Sequence, residues 1–262
     1  MKLVRSLLLV VALSVGFIAE PALAGVEQVN VRVDGLACPF CAYNIEKRVK
    51  TLEGVERDAR IITSLENGTA TFPWKPGVAF DPAAVRKAIR EAGFTPRELT
   101  LTVTGAIEVS SDRDAQTMLE LVDEDAKLTV LVTAGERADH RESWDQMRAL
   151  GLLQGAKLRV RVEGEVRADS VDTPWSLILH AWAPLEYGAQ VIAEIDDLAC
   201  EQCSTRTMRA LTELDGVIHV EADHETDRVH IWTRDEVPDL RVFRERIETL
   251  GFKVTHIHTD GR

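Results

Sequence analysis

The stretch VRVDGLACPFCAYNIEKRVKTLEGV, residues 31–55, places two cysteines two residues apart between a strand-like run and a helix-like run. A near copy, AEIDDLACEQCSTRTMRALTELDGV, occupies residues 193–217, and its Cys200 lies 162 positions after Cys38. The chain has four cysteines in all, and every one belongs to these copies: Cys38, Cys41, Cys200 and Cys203. The chain is therefore organised around an internal repeat that carries a C-x-x-C motif.

Both copies predict the same order of secondary structure. In the first, the alternating valines from Val29 to Val33 predict a strand, and Ile45, Val49 and Leu52 follow at helical spacing. Asn67-Gly68 indicates a hairpin between two further strands, and Asp81-Pro82 is typical of the start of a second helix. A final strand closes each copy. The order βαββαβ predicts a ferredoxin-like sandwich for each module.

The segment between the two copies has a different pattern. It contains several alternating runs, among them LTLTVTGAIEV and LRVRVEGEV, with one helical run around Trp144, Met147 and Leu150. Five strands with a helix between the third and fourth is the chain order of an OB-like β-barrel. The fold class is therefore α+β, with two ferredoxin-like domains flanking a small barrel. The predicted domains are residues 26–98, 99–187 and 188–262.

Residues 1–24 have the pattern of a secretory signal peptide. Lys2 and Arg5 precede an apolar run, and Ala22-Leu23-Ala24 supplies a small-residue cleavage site. Cleavage before Gly25 predicts export across the inner membrane to the periplasm. After cleavage no apolar run is long enough to span a bilayer.

The excess of negative charge argues against some classes of binding partner. The whole chain has a formal net charge of −12, and the middle segment has nine Lys and Arg against sixteen Asp and Glu. An acidic surface repels nucleic acid, so we expect no nucleic-acid partner despite the OB-like pattern. No nucleophile–base pair, phosphate-binding loop or paired-carboxylate site is evident, so we expect no enzyme activity.

Two cysteines at this spacing allow three kinds of chemistry. Cys38 precedes the helix and Cys41 lies in its first turn, so both sulfurs can meet at one point near a helix N-terminus, which stabilises thiolate. A pair of thiolates suits soft cations of low coordination number, such as Cu(I) or Hg(II). Export to an oxidising compartment equally permits structural disulfides, and C-x-x-C also occurs in thiol–disulfide redox proteins. These alternatives stay open on the residues alone.

Both modules resemble heavy-metal-associated domains, the units found in copper chaperones, copper-pump tails and periplasmic mercury-binding proteins. The resemblance covers about residues 26–98 and 189–262, where Gly-Met-x-Cys-x-x-Cys is replaced by Gly35-Leu36-Ala37-Cys38-Pro39-Phe40-Cys41 and by Asp197-Leu198-Ala199-Cys200-Glu201-Gln202-Cys203. It implies that Cys38, Cys41, Cys200 and Cys203 are metal ligands for Cu(I) or another soft ion such as Hg(II). It also implies a metal-donor or metal-acceptor protein as partner, and it places Phe94 and Phe252 near the metal loops.

Several other residues are weaker candidates. Five of the seven histidines lie in the second module, and His256 and His258 share one strand face where they could bind a metal. A solvated strand surface is the commoner role of such histidines. Leu36 and Leu198 are expected in the core beneath the cysteine loops.

Overall fold

The computed structural model describes residues 25–111, 117–123, 128–154, 158–167 and 175–260. The predicted signal peptide, residues 1–24, lies outside these ranges. Within them the structure is a mixture of α-helices and β-strands that follows the predicted order. No helix in the described ranges combines the length and the apolar character needed to cross a bilayer.

The first module contains four strands and two helices in the order βαββαβ. Its sheet has the strand order β2-β3-β1-β4, and β1 pairs antiparallel with both β3 and β4. The alternating valines of β1 point into the core, and Gly68 at the hairpin has a φ of 63°, a conformation that glycine adopts without strain. The elements are β1 (Gly25–Asp34), α1 (Pro39–Val49), β2 (Ile62–Ser64), β3 (Thr69–Pro73), α2 (Pro82–Glu91) and β4 (Thr95–Ser111).

The middle of the chain forms a closed five-stranded barrel. Its strands are joined in the order β4-β5-β6-β8-β7 and back to β4, and β6 and β8 pair in parallel. The helix α3 lies between the third and fourth barrel strands, as the sequence predicts. The elements after β4 are β5 (Thr117–Asp123), β6 (Leu128–Thr133), α3 (Ala138–Gln154), β7 (Arg159–Arg167) and β8 (Ser176–Pro184).

Strand β4 belongs to the first module and to the barrel at once. Its first part, up to Thr104, pairs with β1, and its last part, from Ala106, pairs with β5. The predicted boundary between residues 98 and 99 thus lies inside one strand of 17 residues. Because the strand is continuous, the two parts share one eight-stranded sheet and one continuous hydrophobic core.

The second module repeats the first and has its own core. Its sheet order, β10-β11-β9-β12, corresponds strand by strand to that of the first module. Ile218 and Trp232 of this module pack into the core of the barrel, so the two bodies are in contact. The elements are β9 (Ala189–Asp196), α4 (Glu201–Thr212), β10 (Val217–Asp223), β11 (Arg228–Thr233), α5 (Leu240–Thr249) and β12 (Lys253–Asp260).

Candidate metal-binding sites

Each C-x-x-C motif lies at the start of the first helix of its module. Cys38 is the N-cap of α1, and its Sγ accepts a hydrogen bond from the Cys41 backbone N–H at 3.1 Å. Cys200 caps α4 in the same way, with 3.1 Å between its Sγ and the Cys203 nitrogen. Both sulfurs of each pair therefore face the positive end of a helix, which stabilises negative charge on sulfur.

Both cysteine pairs are joined as disulfides in this structure. The Cα–Cα distances are 5.1 Å for Cys38–Cys41 and 5.0 Å for Cys200–Cys203. Cys200 is exposed and the other three are partly exposed, so each pair is open to solvent on one side. The structure thus brings together the sulfurs of each predicted pair. A disulfide offers no thiolate, so binding of a soft cation requires reduction by two electrons at each site.

The loops before the cysteines differ in sequence but not in conformation. Gly35 has a φ of 87° and its counterpart Asp197 has a φ of 64°, the left-handed region that aspartate tolerates better than most residues. The next residues, Leu36 and Leu198, are buried at 4% and 0% exposure. The prediction that these leucines are core residues beneath the loops is confirmed.

Phe94 and Phe252, which were predicted to lie near the two cysteine loops, have different neighbours. Phe94 packs close to the first loop, because a Cβ added to Gly35 would lie 3.7 Å from its ring. Phe252 faces the Arg206 guanidinium, 5.2 Å from its ring centroid. The 3.7 Å distance at Gly35 is an ordinary contact, so the positive φ of Gly35, and not a lack of space, favours glycine there.

Within the described ranges, the histidines of the second module do not gather into a cluster of metal-ligating side chains. His256 and His258 have ring centroids 5.0 Å apart, but the described part of the chain contains no cluster of three or more His, Cys, Asp or Glu able to hold a metal ion. His256 is exposed, in agreement with the expected solvated strand surface, whereas His219 of β10 is fully buried. Burial disfavours the charged imidazolium and lowers the pKa of His219 to about 3.

A cavity of about 480 Å³ separates part of the barrel from the second module. Glu221 of β10 lines it, and burial raises the pKa of this carboxyl to about 7, with repulsion from Glu163 and Asp223 adding to the effect. On the barrel side the rings of His140 and His180 stack with centroids 4.9 Å apart. The sequence offers no signal for this cavity, because its two walls lie far apart along the chain.

Two segments of the chain, residues 30–95 and 193–253, match the model of the heavy-metal-associated domain family. Each matched segment contains one of the cysteine pairs described above, so both copies of the repeat are similar to heavy-metal-associated domains.

Among curated proteins, a copper-transporting ATPase 1 of Rhizobium meliloti (strain 1021) is 32% identical over 111 residues, covering 41% of this chain and 13% of that protein. A copper-transporting ATPase 2 of Homo sapiens is 38% identical over 64 residues, covering 24% of this chain and 4% of that protein. The chain thus spans only a small part of the length of these relatives.

Solved structures give matches of low TM-score. A CopZ metallochaperone matches with a TM-score of 0.24 and 24% identity, covering 25% of this chain and 98% of that one. The N-terminal soluble domains of Bacillus subtilis CopA match with a TM-score of 0.23 and 15% identity, covering 88% of this chain and 94% of that one. TM-scores this low support no inference about the fold.

Proposed function

We propose that the protein is an exported carrier of soft metal ions, with Cu(I) favoured and Hg(II) next, that holds one ion at each cysteine pair. The observation that carries the proposal is the repeated placement of C-x-x-C at a helix N-terminus inside a heavy-metal-associated domain. The copper-related names of the curated relatives support Cu(I) as the first choice. The signal-peptide pattern of residues 1–24 supports export to the periplasm.

The proposed domain organisation follows from this function. The strand order shared by the two sheets supports two ferredoxin-like metal domains, residues 26–98 and 188–262. The barrel of residues 99–187, which we class as OB-like from its strand order and the position of α3, joins them and is not proposed to bind nucleic acid. Cys38 with Cys41, and Cys200 with Cys203, are the proposed ligand pairs.

Delivery by ligand exchange fits the exposure of these cysteines. A Cu(I) ion held by two thiolates has room for a third, so a partner protein can add its own thiolate before the first bonds break. The ion then passes to the partner without being released into water. The proposed partner is a metal-donor or metal-acceptor protein that carries thiolate ligands of its own.

A thiol–disulfide redox protein is the second candidate, because both pairs are closed as disulfides in the structure. In that role a disulfide would take two electrons and two protons from a dithiol substrate, which would be oxidised in turn. The third candidate role is that of an adaptor, in which the disulfides only stabilise the modules. These roles differ in whether the cysteines respond to metal, to thiols or to neither.

Competition titration of the reduced protein with Cu(I) under anaerobic conditions tests the proposal. We expect two equivalents to bind, one per pair. The matched variants Cys38→Ser/Cys41→Ser and Cys200→Ser/Cys203→Ser should each lose one equivalent and keep the other. Loss of both equivalents in either variant would show a single shared site. If the cysteines alternate between thiols and disulfides when a thiol reagent is added, but do not bind Cu(I), the redox role is supported instead.

A further inference from the structure

The cavity of about 480 Å³ between the barrel and the second module, which we call the interface cavity, has acidic groups on both walls. The barrel contributes two carboxyl groups and one guanidinium, and the second module contributes three carboxyl groups. These charged lining residues are Arg137, Asp139 and Glu163 on the barrel side, and Glu221, Asp223 and Glu225 on the other. The lining therefore has an excess of negative charge.

Some of these groups already have partners within their own wall. Arg137 forms an ion pair with Asp139, with 2.9 Å between Nη2 and Oδ2. Asp223 accepts hydrogen bonds from the Glu225 backbone N–H at 2.8 Å and from the Thr226 hydroxyl at 2.7 Å. The guanidinium of the lining is thus used by Asp139 and does not offset the charge of Glu163 or Glu221.

Glu221 is the carboxyl in the most demanding position. Its neighbours on β10, Val220 and Ala222, belong to the core of the second module, so Glu221 lies on the opposite face of the strand, where it lines the cavity. No hydrogen bond or ion pair joins its carboxyl to another residue of the described ranges, and the charges that raise its pKa are those of Glu163 and Asp223. A buried carboxylate without a positive partner is costly, so this position favours a bound cation.

The histidines around Glu221 do not supply that positive charge. Burial lowers the pKa of His140 on the barrel side, and burial also lowers the pKa of His230, which is paired with Glu221 across β10 and β11. Both rings are therefore neutral near pH 7. A neutral imidazole does not repel a cation, and one of its ring nitrogens accepts a hydrogen bond.

The arrangement suits a cation larger than a metal ion. Metal ions such as Zn²⁺ and Ca²⁺ need several ligands that converge to within about 2.0–2.6 Å of one point. The described part of the chain has no group of three or more His, Cys, Asp or Glu placed in this way. An organic cation can instead bridge acceptors spread around a cavity of about 480 Å³, and ammonium N–H groups form strong hydrogen bonds with carboxylates.

We propose that the interface cavity binds a small organic cation with primary ammonium groups, held by Glu221 of the second module and Glu163 of the barrel. This inference goes beyond the proposed function, because it involves none of the cysteines. The negative charge of the whole chain, −12, favours the approach of such a cation. Because the ligand touches both walls, its binding also stabilises the packing of the second module against the barrel.

Putrescine, 1,4-diaminobutane, is the probe, and its uncharged counterpart 1,4-butanediol is the reference. Equilibrium dialysis with radiolabelled putrescine uses the whole chain with its disulfides intact. At about pH 8, above the pKa of about 7 for Glu221, the carboxyl is mostly ionised while primary amines keep their charge. Physiological ionic strength screens diffuse attraction to the acidic surface. We expect one equivalent of putrescine to bind, and 1,4-butanediol neither to bind nor to compete.

Three substitutions of glutamate by glutamine locate the binding. Glu221→Gln keeps the shape of the side chain and should weaken putrescine binding about tenfold or more, because a charged hydrogen-bond partner is lost. Glu163→Gln should weaken it from the opposite wall, and since Glu163 is exposed this change does not endanger the fold. Glu245→Gln removes the same charge from an exposed position of α5 outside the cavity and should leave binding unchanged.

Thermal unfolding without putrescine is the control for folding. The Glu221→Gln protein should be at least as stable as the wild type, because the amide removes an unpaired buried charge. With putrescine present, the wild type and the Glu245→Gln protein should unfold at a higher temperature, whereas the Glu221→Gln protein should gain much less.

Several results would overturn the inference. Absence of saturable putrescine binding would show that the cavity holds only water and a proton on Glu221. Equal binding by the wild type and by both cavity variants would show diffuse attraction to an acidic surface. Zn²⁺ binding that requires Glu221, without putrescine binding, would show a metal site instead. None of these results changes the number of Cu(I) equivalents on the reduced protein, so the proposed function is tested separately.

Discussion

His219 shows how one residue can join two parts of the chain. Its ring centroid lies 3.9 Å from that of Trp182 and 5.0 Å from that of Trp232, and none of its surface is exposed. Its Nε2 and the Gln146 Nε2 have no hydrogen-bond partner in the part of the chain that the structure describes, and such buried polar atoms destabilise a fold. The contact therefore depends on aromatic packing and on a neutral imidazole.

The first residue-scale prediction concerns acid sensitivity. The pKa of His219 is about 3 when folded against an ordinary value of 6.5. The folded state thus binds fewer protons than the unfolded state between these values, and stability falls as pH drops below 6.5. At pH 4 the loss attributable to His219 should reach up to about 3 kcal/mol. Chemical unfolding of the wild type and of His219→Phe at pH 7 and pH 4 measures it.

The phenylalanine variant should lose less stability than the wild type over this pH range, because its ring cannot take a proton. His256→Phe, at an exposed position of β12, is the matched control and should follow the wild type. Identical pH dependence of the His219→Phe protein and the wild type would contradict the prediction. Intrinsic tryptophan fluorescence is a suitable signal, because Trp182 and Trp232 flank the titrating ring.

At the scale of elements, β4 decides how the first module and the barrel are joined. Gly105 lies where the strand changes partner, after the last pair with β1 and before the first pair with β5. A Cβ at this position would lie 2.9 Å from the Val122 carbonyl oxygen and 3.0 Å from the Leu121 side chain. Glycine thus allows β5 to approach closely enough to close the barrel.

We expect Gly105→Ala to lower the free energy of unfolding by about 1–3 kcal/mol, the usual cost of an extra methyl group in a filled space. The nearest atom is backbone, so it cannot move aside as a flexible side chain would. Thermal unfolding of the reduced protein measures the change. Glu108→Ala, at an exposed position of the same strand, should shift the midpoint much less. If the thermal unfolding midpoint of the Gly105→Ala protein is as high as that of the Glu108→Ala protein, the barrel tolerates a wider spacing between β4 and β5.

At the scale of the whole molecule, the proposed metal binding would compete with disulfide formation for the same sulfurs. Each disulfide needs two electrons and two protons to become a pair of thiols, and only thiolates bind the ion. A metal that binds the reduced form and not the oxidised form shifts the equilibrium toward thiols. If the proposed function is right, metal loading is therefore expected to respond to the redox state of the surroundings.

Free Cu(I) at about 100 times its dissociation constant should stabilise each reduced site by about 2.7 kcal/mol. For a two-electron couple this is a shift of about 60 mV in the apparent potential of each disulfide. The protein is equilibrated in thiol–disulfide buffers with and without buffered Cu(I). Acid trapping followed by mass-shift alkylation then gives the number of thiols per protein. The Cys38→Ser/Cys41→Ser protein should show the shift for its remaining pair alone. A potential that ignores Cu(I) at both sites would favour the redox or structural roles of the cysteines.

The local sequence determined most of the two modules and the position of their sites. The periodicity around Val29–Val33 and Ile45–Leu52, the turn at Asn67-Gly68 and the cap before each helix act over a few residues, so they can be predicted without a structure. The same holds for Cys38 and Cys200 as helix N-caps, and for the buried Leu36 and Leu198.

Only the tertiary structure decided how these modules differ. Periodicity shows that a face is buried but not which surface buries it, so the alternation of β10 could not distinguish a solvated His219 from one enclosed by Trp182. The contact of Glu201 with Ala138 joins residues 63 positions apart, and Arg209 with Glu142 joins residues 67 apart. Such pairs leave no local pattern, because their proximity depends on how the barrel closes and where the second module packs against it. The sequence alone thus predicted two similar modules, and only the tertiary structure shows that α3 packs against α4 of the second.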